Sequence, residues 1–113
     1  MASIEYITRN DTAAFVLEFE NSDGSPMDLS WDTVRLIVKK DRQAPDSSAA
    51  LKAEWIHPAG CRLFHEFTPE ETAALAEGEY WGAVKKYSDA QGVQRAFEVA
   101  GFRLIVNKGV FNG

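Results

Sequence analysis

Short stretches in which apolar and polar residues alternate run through most of the chain. In residues 14–20, Phe15, Leu17 and Phe19 fall on one side of an extended backbone, and two glutamates with Val16 fall on the other. This period of two is typical of a half-buried strand. Comparable stretches predict further strands at 4–6, 34–40, 50–57, 62–67, 80–87, 93–99 and 102–106. We therefore predict seven or eight short strands, with a break at Gly101 between the last two.

One helix interrupts this series of strands. Thr68 followed by Glu71 has the spacing of a capping box, in which each side chain bonds the backbone N–H of the other residue. Pro69 suits the first helical position, because the N–H that proline lacks has no partner there. We predict a helix over about 69–76 that ends before Gly78 and packs on the sheets through Leu75.

The regular spacing of strands and turns predicts an all-β fold, a sandwich or a barrel, of which we favour the sandwich. The chain has 113 residues, which is the size of one domain, and 45% of them are hydrophobic. No internal repeat or linker composition divides it. We therefore predict a single domain over 1–113, an antiparallel β-sandwich with one short helix.

Charge and composition exclude several classes of function. The net charge of −5 argues against nucleic-acid binding, which depends on neutralising phosphates with lysine and arginine. No apolar run has the roughly 18 residues of a membrane-spanning helix, and the N-terminus lacks the features of a signal peptide. A single cysteine, Cys61, allows no internal disulfide. We expect a protein made in a cytoplasm, with no membrane partner.

Candidate catalytic and metal-binding residues are few. His57, Cys61 and His65 are zinc-ligand types, but their spacing matches no compact site. A two-residue turn at Ala59-Gly60 would put the histidines on opposite faces of a hairpin. The adjacent carboxylates of Glu70 and Glu71 belong to the first turn of the predicted helix, where negative charge is favourable. We predict no enzyme activity, no metal and no cofactor.

Aromatic residues on one strand are the clearest candidates for an interaction surface. Trp81 and Tyr87 share one side of the strand 80–87, while Tyr80 lies on the other side. One side must face the core, so the Trp81 side is either covered by the helix or a loop, or exposed to a partner. Trp55 is a further surface candidate.

The order of several motifs resembles a known family. Arg9-Asn10-Asp11-Thr12 precedes the first long strand, and Asp23-Gly24-Ser25-Pro26 leads to Asp28-Leu29. The strand 34–39, then Thr68-Pro69-Glu70-Glu71-Thr72, and then Gly78-Glu79-Tyr80 follow. From Arg9 to about Val106 the chain resembles the immunoglobulin-like domain of phage baseplate upper proteins and related tail proteins.

The resemblance implies an immunoglobulin-like sandwich and a virion or prophage structural part made in a host bacterial cytoplasm. It implies no catalytic residues, and it makes other copies of the chain and other virion proteins the expected partners. We predict a homo-oligomer whose interface combines an edge strand with Trp81 or Tyr87. The alternative is a carbohydrate-binding module that stacks sugars on Trp81, Tyr87 or Trp55.

Overall fold

The computed structural model describes residues 3–88 and 95–108, with side chains for residues 4–88 and 101–108. The described elements in chain order are β1 (Ser3–Thr8), β2 (Ala13–Glu18), β3 (Asp32–Lys39), a 3₁₀ turn (Asp46–Ser48), β4 (Leu51–Ile56), β5 (Arg62–Phe67), α1 (Pro69–Ala73), β6 (Gly78–Ser88) and β7 (Arg95–Asn107). The strands form a five-stranded sheet of order β1-β7-β6-β3-β4 and a two-stranded sheet of β2 and β5. The predicted all-β sandwich with one short helix is confirmed.

Strand pairing follows the immunoglobulin pattern, with one departure from the prediction. The adjacent strands β3, β6 and β7 and the pair β2–β5 correspond to the C–F–G and B–E neighbours of that fold. The prediction of wholly antiparallel sheets is wrong for β1, which runs parallel to β7 from Ser3 opposite Phe102 to Thr8 opposite Asn107. Because these strands come from opposite ends of the chain, no hairpin forces them to be antiparallel, and the parallel register puts Ile7 beside buried Val106.

The last two predicted strands are one continuous strand. Gly101 does not end β7, because it pairs with Ala83 within the β6–β7 ladder. The irregularity lies next to it, where Val84 pairs with Ala100 and Lys85 pairs with Glu98, which leaves one extra residue on β7 as a bulge. Residues 93 and 94, the start of the predicted strand 93–99, lie outside the described residues.

The hairpin considered at Ala59-Gly60 does not form, because β4 and β5 belong to different sheets. The N–H of His57 donates to the carbonyl of Asp32 in the larger sheet, at 2.9 Å. The carbonyl of Cys61 accepts from the N–H of Phe19 next to the smaller sheet, also at 2.9 Å. The chain therefore crosses from one sheet to the other between these two bonds.

The core lies between the two sheets. On β3 the alternate residues Val34, Leu36 and Val38 are fully buried, as the period of two predicts. Phe15 of the smaller sheet connects the layers, because its ring centroid lies 5.6 Å from that of Phe67 and 6.2 Å from that of Phe102. The half-buried alternation seen in the sequence thus corresponds to one core-facing side of each sheet.

Helix α1 begins as predicted and ends earlier. The side chain of Thr68 accepts from the N–H of Glu71 at 3.2 Å, and the carboxylate of Glu71 accepts from the N–H of Thr68 at 3.0 Å, so the capping box is confirmed. The helix stops at Ala73 rather than Ala76, because the Ala73 carbonyl accepts from the Arg9 guanidinium at 2.8 Å instead of from a further helical N–H. Leu75 is buried in the core, as predicted.

Candidate interaction surface

Strand β6 presents one side to the core and the other to the outside. Tyr80, Gly82 and Val84 are buried, whereas Trp81 and Tyr87 are half-buried on the opposite side. We call this opposite side of the five-stranded sheet, which faces away from β2 and β5, the outer face. The structure therefore places two of the three candidate interface residues, Trp81 and Tyr87, on one surface.

Trp81 lies between two guanidinium groups. The guanidinium of Arg42, in the β3–β4 loop, lies 5.4 Å from its ring centroid, and that of Arg103, on β7, lies 5.9 Å away. Arg103 also makes a bidentate pair with Glu79, with N–O distances of 2.9 and 2.6 Å. These hydrogen bonds from Arg103 lower the pKa of Glu79, and the Glu79 carboxylate raises the pKa of Arg103. The pair fixes the direction of the Arg103 side chain beside the indole.

Tyr87 has a similar arrangement at the other end of β6. The guanidinium of Arg35 lies 4.9 Å from the tyrosine ring centroid and forms an ion pair with Glu54 on β4. The hydrogen bond to Glu54 is the main cause that raises the pKa of Arg35. Both outer-face aromatic residues of β6 are therefore bordered by arginines that neighbouring strands hold in place.

Of the two covering elements considered from the sequence, only the loop reaches this surface. The β3–β4 loop is folded back on its strand, because the Lys39 ammonium donates to the carbonyl of Ala44 at 2.6 Å and to Asp46 at 3.0 Å. This fold brings Arg42 over Trp81. Helix α1 packs elsewhere: Thr72 is buried and donates to the carbonyl of Asp11 at 2.8 Å.

The middle of the outer face has a shallow depression. Ala83 and Gly101 lie opposite each other on β6 and β7, so no large side chain rises from either strand at this point. A depression of about 290 Å³ results, with Ile37, Trp81, Arg42 and Lys85 among its lining residues. A second depression of about 470 Å³ lies alongside, lined in part by Lys52. Small residues at the centre and long ones at the rim allow a partner's side chain to enter.

Large apolar side chains at the margins of the outer face are exposed. Tyr6 on β1, which pairs with Ile105 of β7, is 66% exposed, and Ile56 on β4 is 67% exposed. Ile4 on β1 and Trp31, in the turn before β3, are also exposed. Sequence reasoning missed these residues because their position depends on which strands form the edges of the sheet. The alternation in 4–6 predicts a strand, but it does not predict which strand lies beside it.

Trp55, the third candidate, does not join this surface. Its indole N–H donates to the carbonyl of Phe64 at 3.3 Å, and its ring lies edge-on to His65, with centroids 6.2 Å apart. Trp55 also packs against the core. It therefore closes the edge of the sandwich between β4 and β5 and faces away from Trp81 and Tyr87.

Two of the residues considered as metal ligands, His65 and Cys61, have packing roles. The ring of His65 packs against Phe67, with centroids 4.5 Å apart, and half-buried Cys61 packs against the core. Within residues 3–88 and 95–108, no group of three histidine, cysteine, aspartate or glutamate side chains is placed to hold a metal ion.

The motifs that carry the family resemblance make structural contacts with one another. The Arg9 and Asp11 motif bonds to α1 through Ala73 and Thr72. In the turn that follows β2, the carboxylate of Asp23 accepts from the N–H of Ser25 at 2.9 Å and from its hydroxyl. These bonds lower the pKa of Asp23. These two motifs thus stabilise a turn and the position of the helix, whereas the strand 34–39 and Gly78-Glu79-Tyr80 contribute Arg35 and Glu79 to the outer face.

Over the described ranges, no helix is both long enough and apolar enough to cross a membrane. Comparison of the sequence with protein-family models and with curated proteins gives no match.

Proposed function

We propose that this chain is a non-catalytic structural protein of a phage or prophage tail, which assembles with copies of itself and with other virion proteins through the outer face. On this proposal it is made in the cytoplasm of a bacterial host and becomes part of a virion. The order of the sequence motifs supports the phage assignment. The composition of the outer face supports assembly.

The observation that carries the proposal is the exposure of apolar side chains beside ordered aromatic residues on one sheet face. Tyr6 and Ile56, at 66% and 67% exposure, border a surface whose centre holds Trp81 and Tyr87. Contiguous exposed apolar surface rimmed by polar groups is characteristic of protein interfaces, and tryptophan, tyrosine and arginine are enriched there. The outer face has exposed apolar side chains at both of its edges, with tryptophan, tyrosine and arginine between them.

The edges of the five-stranded sheet extend this surface. β1 and β4 are its outermost strands, and each has one side without a strand partner in the described residues. Backbone groups on such an edge can pair with a strand of another chain. An interface that combines one edge strand with the outer face would bury Tyr6 or Ile56 together with the aromatic residues of β6.

The carbohydrate-binding alternative is less well supported by the geometry. Sugar-binding platforms offer the flat face of an aromatic ring for stacking. Here Arg42 and Arg103 lie within 6 Å of the Trp81 ring centroid, and Arg35 lies 4.9 Å from that of Tyr87. These guanidinium groups compete for the surface that a sugar would need, so the alternative requires them to move.

Light scattering across a size-exclusion peak at about 100 µM tests self-assembly, since weaker association corresponds to less than about 5–6 kcal/mol. We expect a defined oligomer in the wild type, and dissociation without unfolding in Trp81→Ala and Tyr87→Ala. Phe64→Ala is the matched control, because Phe64 is 56% exposed on the smaller sheet. Persistence of the oligomer in both aromatic variants would exclude the outer face as its interface, and a monomeric wild type would restrict assembly to other proteins.

A further inference from the structure

The described part of the outer face carries a charge of sign opposite to that of the whole chain. The chain has a net charge of −5. Among the described residues that lie on this face or line its two depressions, however, cations outnumber acids: Arg35, Lys39, Arg42, Lys52, Lys85 and Arg103 stand against Asp46, Glu54 and Glu79. Acidic residues are therefore concentrated on the remaining surface.

Three of these cations are already neutralised, and three are not. Arg35 pairs with Glu54, Lys39 with Asp46 and Arg103 with Glu79. Arg42, Lys52 and Lys85 have no ion pair among the described residues, and they line the two depressions on either side of Ile37. The unpaired positive charge thus surrounds the part of the face that is open to a partner.

An acidic stretch of the chain without an ion pair among the described residues lies around α1. Residues 66–77 contain four glutamates and no lysine, arginine or histidine, and all four, Glu66, Glu70, Glu71 and Glu77, are exposed. The capping box occupies the carboxylate of Glu71. Arg9 bonds this segment through a backbone carbonyl rather than through a carboxylate. Carboxylates on this segment are therefore available to a cationic partner surface.

We infer that the outer face of one copy receives the acidic segment 66–77 of a second copy, in a head-to-tail contact. This inference rests on the proposed function and specifies its interface. The contact joins two different surfaces, so each copy can bind one neighbour through its outer face and another through its α1 segment. Repetition of such a contact produces a ring if the rotation closes and a filament if it does not.

Charge reversal with complementation tests this contact. The face variant carries Arg42→Glu and Lys85→Glu, and the segment variant carries Glu66→Lys and Glu77→Lys, which leaves the capping box intact. We expect each variant alone to associate at least roughly tenfold more weakly than the wild type, because ion pairs are replaced by repulsion. An equimolar mixture should associate again, since the unchanged segment of the face variant fits the unchanged face of the segment variant. A single chain with all four changes should associate with itself again.

Neutral variants guard against misfolding as an explanation. Arg42→Gln with Lys85→Gln should weaken association less than the reversals do, and denaturant unfolding should give the wild-type midpoint in every variant that is interpreted. Association of the wild type should also weaken as salt is raised from about 0.05 to 0.5 M, because exposed charges are screened.

The outcomes separate this inference from the proposed function. If Trp81→Ala dissociates the oligomer while both charge variants remain assembled, the outer face is the interface but the α1 segment is not its partner. If both charge variants dissociate and their mixture does not associate, the outer face and the α1 segment are not each other's partners, and the head-to-tail contact is wrong. A monomeric wild type overturns the inference and leaves hetero-assembly to the proposed function.

Discussion

The two sides of β6 use the same backbone for different purposes. On the inner side, Gly82 leaves space that the ring of Phe102 fills, and Tyr80 and Val84 are buried beside it. On the outer side, Ala83 and Gly101 also leave space, but no side chain of the described residues fills it. Packing is therefore complete on one side of the strand, and the other side retains a depression bordered by arginines and aromatic rings.

This difference shows which residues serve the fold and which are available for assembly. Buried residues are constrained by volume, because a missing or added methyl group changes packing directly. Residues on the outer side are constrained in the direction of their side chains, since a carboxylate holds each of Arg35 and Arg103 beside an aromatic ring. Substitutions on the inner side should change stability, and substitutions on the outer side should change association.

Two neighbouring residues on β3 provide the strongest test of this distinction. Leu36 is fully buried and Ile37 lines the outer depressions. Leu36→Ala should reduce the free energy of unfolding by about 2–5 kcal/mol because it leaves a cavity in the core. Ile37→Ala should cost about 1 kcal/mol, since its side chain is only half-buried. Urea unfolding of both variants measures the difference, and equal losses would mean that the outer face is packed like the core.

Two glycines on adjacent strands sharpen the same comparison. A methyl group at Gly82 would lie 2.2 Å from the Phe102 ring, whereas one at Gly101 would have no contact closer than 3.9 Å. Gly82→Ala should therefore destabilise the fold by about 1–3 kcal/mol through overpacking. Gly101→Ala should leave the unfolding midpoint near that of the wild type while partly filling the outer depression. A large loss of stability in Gly101→Ala would contradict the open space that the added methyl group is expected to enter on the outer side.

The capping box stabilises the start of α1, away from both sides of β6. Thr68→Ala removes the acceptor for the N–H of Glu71 and should cost about 1 kcal/mol of unfolding free energy. Thr68→Ser, which keeps the hydroxyl, is the control and should retain most of the stability. Chemical unfolding that fails to distinguish Thr68→Ala from wild type would show that the cap contributes nothing.

The smallest effect concerns the ion pair that orients Arg103 beside Trp81. Arg103 lowers the pKa of Glu79 in the folded protein, so this pair stabilises the fold above the unfolded pKa of about 4.3. That contribution is lost as the pH falls through the lower, folded-state pKa. Glu79→Gln should therefore be less stable than wild type at pH 7, and the gap should shrink in acid. Arg103→Gln should likewise be less stable than wild type at pH 7, with a difference that shrinks in acid. A difference that widens in acid would contradict a stabilising pair between Glu79 and Arg103.

Much of the fold could be predicted from local pattern, and the interaction surface only in part. Alternation located β2 to β6, and Thr68 with Glu71 located the start of α1, because period and capping are local properties. The parallel β1–β7 pair and the crossing between His57 and Cys61 depend on contacts between distant segments. Trp81 and Tyr87 were identified because they share one side of a strand. Tyr6 and Ile56 join them only through sheet order, which no local pattern contains.

The central claim, that the outer face is the surface through which copies assemble, can be measured directly by hydroxyl-radical footprinting of the tryptophans. Trp81 and Trp55 are both half-buried in a single copy, but Trp55 closes the sandwich edge beside Phe64. As the protein concentration rises from about 1 to 100 µM, across the range where micromolar association saturates, oxidation of Trp81 should fall while that of Trp55 stays constant. Constant oxidation of Trp81 in a sample that light scattering shows to be oligomeric would contradict the account.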